Sequence, residues 1–296
     1  MKALRLLIAA ALLAAPIIAP AGTAAASPDL AVGPQYDSTH VYVAPADFDR
    51  FMASFIATFG GTLSKQGVFQ VTPTASQTIS QVAMTPVGLV SAFAFKTPIP
   101  YPFGAERTGY LVTDIDAAVA AARKAGAVRL VDTFPDPIGR DVVLQWPGGM
   151  TMQFYWHTVA PSYAPLSAIP ENRIYLTADA ADLFVKHWLA FAHGAIVSDE
   201  KAAAGSEIGR TGTHYRLIHL RSGFGDMTVF VTDGALPWPY GREVTGYVVQ
   251  DVAATLVRAT VAGVETLVPP HREVDRVSTM VRFPGGYIAE IHSNAR

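Results

Sequence analysis

Imidazole and carboxylate groups at strand spacing are the clearest chemical resource of this 296-residue chain. His40 opens the alternating stretch His40-Val41-Tyr42-Val43, and Glu290 and His292 stand two apart near the chain end. Residues two apart on a strand share a face, so Glu290 and His292 would project together. Groups of these kinds hold divalent ions or carry protons when a fold brings them within reach. His214, His219 and Arg221 lie on another alternating stretch, which a solvated face explains. Glu106 and Glu243 each precede a Thr-Gly-Tyr stretch and could act as acids or bases, although exposed loop carboxylates are the simpler reading. Tyr42, Tyr110, Tyr175 and Tyr247 suit either a core or a wall that stacks on a flat ligand.

Several chemistries have no residues to carry them. The chain has no cysteine, which removes disulfides and thiolate chemistry. It has no Gly-x-Ser-x-Gly elbow and no His-Glu-x-x-His pair. Gly223-Phe224-Gly225 runs into Asp226 and lacks the third glycine of a dinucleotide loop.

The elements that must position these groups repeat. Pro100-Tyr101-Pro102-Phe103-Gly104, then Thr108-Gly109-Tyr110, Asp114 and Pro147-Gly148-Gly149, return as Pro237-Trp238-Pro239-Tyr240-Gly241, Thr245-Gly246-Tyr247, Asp251 and Pro284-Gly285-Gly286 at one constant offset. Breakers kept in step over such a length mean two copies of one domain. Within the first copy, a strand at His40 precedes a helix with Phe48, Phe51, Met52, Phe55, Ile56 and Phe59 on one side. Asp47 is placed to cap that helix and Gly60-Gly61 to stop it. Three strand-like runs follow, and the same order recurs from Gly109, from Arg173 and from Gly246. The chain therefore reads as four βαβββ units in two tandem pairs, an α+β fold whose consecutive strands require mixed, largely antiparallel sheets. Residues 38–157 and 171–293 are the expected domains, with a Pro-, Ser- and Ala-rich linker at 158–170.

Residues 1–26 lie outside both copies. Lys2 and Arg5 precede an apolar run, and Ala24-Ala25-Ala26 makes a small-residue cleavage site before Ser27, the pattern of a secretory signal peptide. A secreted or periplasmic protein is expected, held by packing alone. No later apolar run is long enough to span a bilayer, so no membrane attachment is expected after cleavage. The net charge of −2 and the lack of a basic cluster argue against a nucleic-acid partner.

The cycle of His-Val-Tyr-Val, an Asp-Phe-Asp helix start and Pro-Gly-Gly before a strand ending in an acid or amide resembles the vicinal oxygen chelate superfamily over roughly residues 38–293. That superfamily includes glyoxalase I, bleomycin- and fosfomycin-resistance proteins and extradiol dioxygenases. The resemblance implies paired modules whose sheets curl into half-barrels around a cleft, with helices outside. It also implies a divalent ion held by His, Gln or Glu of the first strands and Glu of the last. Carried over, the first-strand position falls on His40, Thr108, Arg173 and Thr245, and the last-strand position on Gln153 and Glu290. Tyr42, Tyr110 and Tyr155 would share the walls of the first copy's cleft, with Tyr175, Tyr247 and His292 in the second.

Which units pair decides what those residues can do. If neighbours pair, one cleft offers His40, Thr108 and Gln153, and the other offers Arg173, Thr245, Glu290 and His292. Neither set suits a cation: the first has one good ligand, one poor one and a hydroxyl, and in the second Arg173 would repel an ion and pair with Glu290 instead. If unit one pairs with unit four, His40, Glu290 and His292 would converge as a two-His-one-carboxylate metal centre. Two functions follow. The first is a small-molecule binder without a tightly held metal, its aromatic or oxygenated ligand held by Tyr42, Thr108, Tyr110, Gln153, Tyr155, Tyr175, Thr245 and Tyr247. The second is a lyase, isomerase or dioxygenase using His40, Glu290 and Arg173, with or without a divalent metal. A monomer or a homodimer fits either.

Overall fold

Breakers and apolar spacing divide the chain much as it folds. The structure, a computed structural model, describes residues 29–34, 39–104, 107–159, 166–272 and 276–294. The expected signal peptide at residues 1–26, Glu106 and residues 160–165 of the expected linker lie outside the described residues.

Module one contains β1 (Thr39–Tyr42), α1 (Phe48–Phe59), the short β2 (Thr62–Leu63) and β3 (Gly67–Phe69), then β4 (Thr78–Thr85) and β5 (Gly88–Phe95). Module two is β6 (Thr108–Leu111), α2 (Ile115–Lys124), β7 (Val128–Pro135), β8 (Gly139–Gln145) and β9 (Thr151–His157). Module three is β10 (Glu171–Leu176), α3 (Ala178–Ala192), β11 (Ala195–Ala204), β12 (His214–Ser222) and β13 (Gly225–Val231). Module four is β14 (Val244–Val248), α4 (Val252–Val261), β15 (Glu265–Arg272), β16 (Arg276–Arg282) and β17 (Ile288–Asn294). In every module the first strand lies parallel to the last, and the remaining pairs are antiparallel.

Two caps fall where the sequence puts them and one does not. The Asp114 carboxylate accepts from the Ala117 amide at 2.9 Å, and Asp251 does the same for Ala254 at 3.0 Å. Asp47 makes no side-chain cap. The chain enters α1 through a 3-10 turn at Pro45–Asp47, so Asp47 already has a near-helical backbone and its carboxylate pairs with Arg50 instead.

Neighbouring modules share a cleft. β10 and β14 pair antiparallel and join modules three and four into one eight-stranded sheet. β1 lies beside β6, where the His40 amide donates to the Arg107 carbonyl at 3.0 Å. Modules one and four also meet, but through the faces turned away from the clefts. Phe51, Met52 and Phe55 of α1 bury against Tyr247, Phe283 and Ile291, and Arg258 of α4 donates to the Thr58 carbonyl at 3.1 Å. Modules two and three meet in the same way, with Phe184, Trp188 and Phe191 of α3 packed among Tyr110, Trp146 and Phe154.

Those two back-to-back cores tie the four modules together. Trp188 is 1% exposed and crosses Trp146 edge-on at 5.2 Å between ring centroids. Trp188→Ala is expected to cost about 3–5 kcal/mol of unfolding free energy. The neighbouring exposed Lys186→Ala should change it by less than about 0.5 kcal/mol. Urea unfolding of both variants is the check.

Candidate functional site

A strand buried on both faces sends alternate side chains into different interiors. On β1, His40 and Tyr42 enter the cleft of modules one and two, while Val41 joins the core behind it. Ser91 and Phe93 of β5, Asp141 of β8 and Gln153 and Tyr155 of β9 enter the same cleft. Together they line a cavity of about 270 Å³. Tyr42 stacks on Phe93 at 5.4 Å between centroids, and the His40 ring meets Phe93 edge-on at 5.3 Å. Gln153 Nε2 donates to Asp141 Oδ2 at 2.9 Å, which fixes the amide and leaves its carbonyl as an acceptor. Gly109 of β6 faces His40, and a Cβ there would stand 2.2 Å from His40 Nε2. The imidazole occupies the space that a side chain of module two would otherwise take.

The cleft of modules three and four is built from charge. Glu171, Arg173 and Tyr175 project from β10, Arg276 and Ser278 from β16, and Glu290 and His292 from β17; apart from Tyr175 and Arg276, all are buried. Arg276 Nη2 lies 2.8 Å from Glu171 Oε2, 2.9 Å from Glu290 Oε1 and 2.8 Å from His292 Nδ1. His292 Nδ1 is also 2.7 Å from Glu290 Oε2. Arg173 donates to Glu171 at 3.3 Å and to Glu207 at 3.0 Å, and its guanidinium lies over the Phe230 ring at 4.7 Å. Thr228 donates to Glu171 and Ser278 to Glu290. Arg276, Glu171 and His292 stand in the wall of an open cavity of about 670 Å³.

Burial alone would make these carboxylates hard to ionise. For Glu171 that penalty is overcome by Arg276, then Arg173, which hold its carboxyl well below the usual range. Glu290 is likewise held well below it against its own burial, by Arg173, His292 and Arg276. Burial pushes Arg173 the other way, yet Glu290, Glu171 and Glu207 raise it well above an ordinary guanidinium. Tyr215 donates to Glu207 at 2.6 Å, and burial, then the charge of Glu207, drives its phenol far up.

The residues singled out from the sequence divide among three places. His40, Tyr42, Gln153 and Tyr155 line the first cleft. Arg173, Tyr175, Glu290 and His292 belong to the second, where Tyr175 stacks on Phe230 at 4.6 Å. Thr108, Tyr110, Thr245 and Tyr247 turn away from both. Thr108 donates to Glu243 at 2.5 Å, Tyr110 packs on Trp188 and Phe224, Thr245 meets Thr39, and Tyr247 bonds to Tyr287 at 2.8 Å within a core. In each Thr-Gly-Tyr stretch the glycine, not its neighbours, faces the cleft, so the expected wall residues are displaced by one position. His40 therefore does not meet Glu290, Arg173 or His292. The group of His, Asp or Glu that could hold an ion among the described residues is Glu171, Glu290 and His292, with ligand atoms within 4.8 Å of one another. Sequence reasoning missed Glu171, Glu207, Asp141 and Arg276. Glu171 had a signal, for it precedes Arg173 by two and shares its face.

The depressed carboxylates carry a pH dependence. Their folded pKa lies below the unfolded value, so the stabilisation is whole above about pH 4.5 and is lost as pH falls from there toward the folded value. Urea unfolding should show stability dropping below about pH 4.5, with a shallower drop in Glu171→Gln. At pH 7 that variant should be about 3–5 kcal/mol less stable, since it strands part of Arg276's charge. An unchanged acid slope would contradict the assignment.

No family model and no curated protein matches this sequence. Solved structures do match in fold. A triple variant of 4-hydroxymandelate synthase from Streptomyces coelicolor superposes with a TM-score of 0.59 at 13% identity, covering 89% of this chain and 94% of that one. The Mn(II)-bound glyoxalase from Novosphingobium aromaticivorans gives 0.52 at 14% identity, covering 89% and 84%. A 2,3-dioxygenase from Pseudomonas sp. KL28 gives 0.51 at 10% identity, covering 90% and 94%. All three are vicinal oxygen chelate proteins, and identities this low bear on the fold alone. Strand order and these likenesses together give the chain the fold of the vicinal oxygen chelate superfamily, with four βαβββ modules in tandem.

Proposed function

We propose that this is an exported protein that binds a small oxygenated aromatic molecule in the first cleft without the aid of a tightly held metal. The cavity of about 270 Å³ between modules one and two carries this reading. It lies near the lower end of small-molecule sites, about 300–1,000 Å³, which suits a compound of one ring. Tyr42 and Phe93 offer a ring to stack on. His40 and the Gln153 carbonyl offer hydrogen bonds to a hydroxyl or carbonyl substituent, with Asp141 holding the amide in place. Export rests on the basic, apolar and small-residue sequence of residues 1–26.

A second reading has its own observation. Glu171, Glu290 and His292 are ligand types that could hold a divalent ion, as the Mn(II)-bound glyoxalase neighbour holds one. Such an ion would supply Lewis acidity to a bound oxygen. The residues present fit it poorly, because the Arg276 guanidinium already touches all three and Arg173 stands beside them.

Calorimetric titration with phenol, catechol and salicylate tests the first reading. At least one should bind, with Phe93→Ala weakening it by about tenfold and Glu290→Gln leaving it unchanged. Equal loss in both variants, or no binding by any of the three, counts against it. Export is checked separately by N-terminal sequencing of the protein outside the cytoplasm, which should begin at Ser27.

A further inference from the structure

The second cleft holds a coordination set arranged around a guanidinium nitrogen. Glu171 Oε2, Glu290 Oε1 and His292 Nδ1 each lie 2.8 to 2.9 Å from Arg276 Nη2, and they come from two strands, β10 and β17, around a nitrogen borne by a third, β16. Convergence of two carboxylates and an imidazole on one point is what a divalent ion requires, with bonds of about 2.0–2.2 Å instead. The carboxylates also accept from hydroxyls, Glu171 on its far oxygen from Thr228 and Glu290 on Oε1 itself from Ser278, and outer hydrogen bonds of this kind commonly orient metal-holding carboxylates. The open cavity outside gives a hydrated ion a way in.

Charge decides which cation sits there. With Arg276 in place, two guanidiniums face Glu171, Glu207 and Glu290, and an added divalent ion would leave the buried cluster positive. A guanidinium keeps its charge at any working pH, so it cannot give way by losing a proton. Without Arg276, three carboxylates would face Arg173 alone, an excess of two negative charges that complements a divalent ion. We propose that Arg276 is a built-in cation filling a latent divalent-metal site, and that shortening this one side chain opens the site to an ion held by Glu171, Glu290 and His292. Arg276 then has the role of a positioning residue: its contacts hold the Glu171 and Glu290 carboxylates in place where a metal would.

The test is calorimetric titration of Mn²⁺ and Zn²⁺ into the full chain and into Arg276→Ala. The variant should take up one ion per chain at least about 100-fold more tightly than the parent, and the double variant Arg276→Ala/Glu290→Gln should lose that gain. Should Arg276→Ala be unfolded by itself, circular dichroism with and without millimolar Zn²⁺ replaces the titration. Refolding by the ion supports the inference, and no refolding overturns it. A folded Arg276→Ala that gains no ion also overturns it. So does a parent protein that binds one ion and loses it on Glu290→Gln. The proposal does not depend on ligand binding in the first cleft, where salicylate affinity should be unchanged by Arg276→Ala.

Discussion

Every first strand in this chain has to serve two interiors at once, a cleft on one face and a core on the other. Strand geometry allows only alternate residues to each. His40 and Tyr42 therefore enter the first cleft while Thr39 and Val41 pack behind it. On β10, Glu171, Arg173 and Tyr175 take the cleft side and Ile174 the core. β6 and β14 solve the same constraint with a glycine on the cleft face and a tyrosine in the core. At Gly109 of β6 and Gly246 of β14 the first strand therefore puts no side chain of its own into the cleft. His40 fills the space over Gly109, while Glu290, Arg173 and Glu171 crowd the space over Gly246.

From this one arrangement the two clefts have become different objects. The first is walled by rings, with His40, His157, the fixed Gln153 amide and a rim of carboxylates and hydroxyls as its polar groups. Its chemistry is that of stacking and a few directed hydrogen bonds. The second has spent its polar groups on one another. Buried Glu171 and Glu290 need cations to remain ionised out of water, and Arg173 and Arg276 supply them. An ion-pair cluster of that kind fixes geometry more than it adds stability. It also fixes what the cleft can accept.

Much of this fold was legible in the sequence because the breakers and the apolar helix faces repeat in step. Phe51, Phe55, Phe184 and Trp188 stand where a helix buried on one side requires them, and all are buried. The site was less legible. Period two tells which residues share a face but not which face looks into the cleft, and both faces here are buried. Thr-Gly-Tyr thus reads as two wall residues around a spacer, when the spacer faces the cleft and Tyr110 and Tyr247 belong to the cores. Glu171 fell outside the strand as read from Arg173 onward. Arg276 reaches Glu171 across more than a hundred residues of chain, a contact that no local pattern encodes.

A permanent side-chain cation, Arg276, stands among Glu171, Glu290 and His292, the group whose ligand types could hold an ion. Anomalous diffraction from crystals of the unaltered protein grown in excess Mn²⁺ tests it most directly. The guanidinium of Arg276 should be seen between Glu171, Glu290 and His292, with no anomalous peak among them. A peak at coordination distance from all three, with Arg276 swung aside, would contradict it.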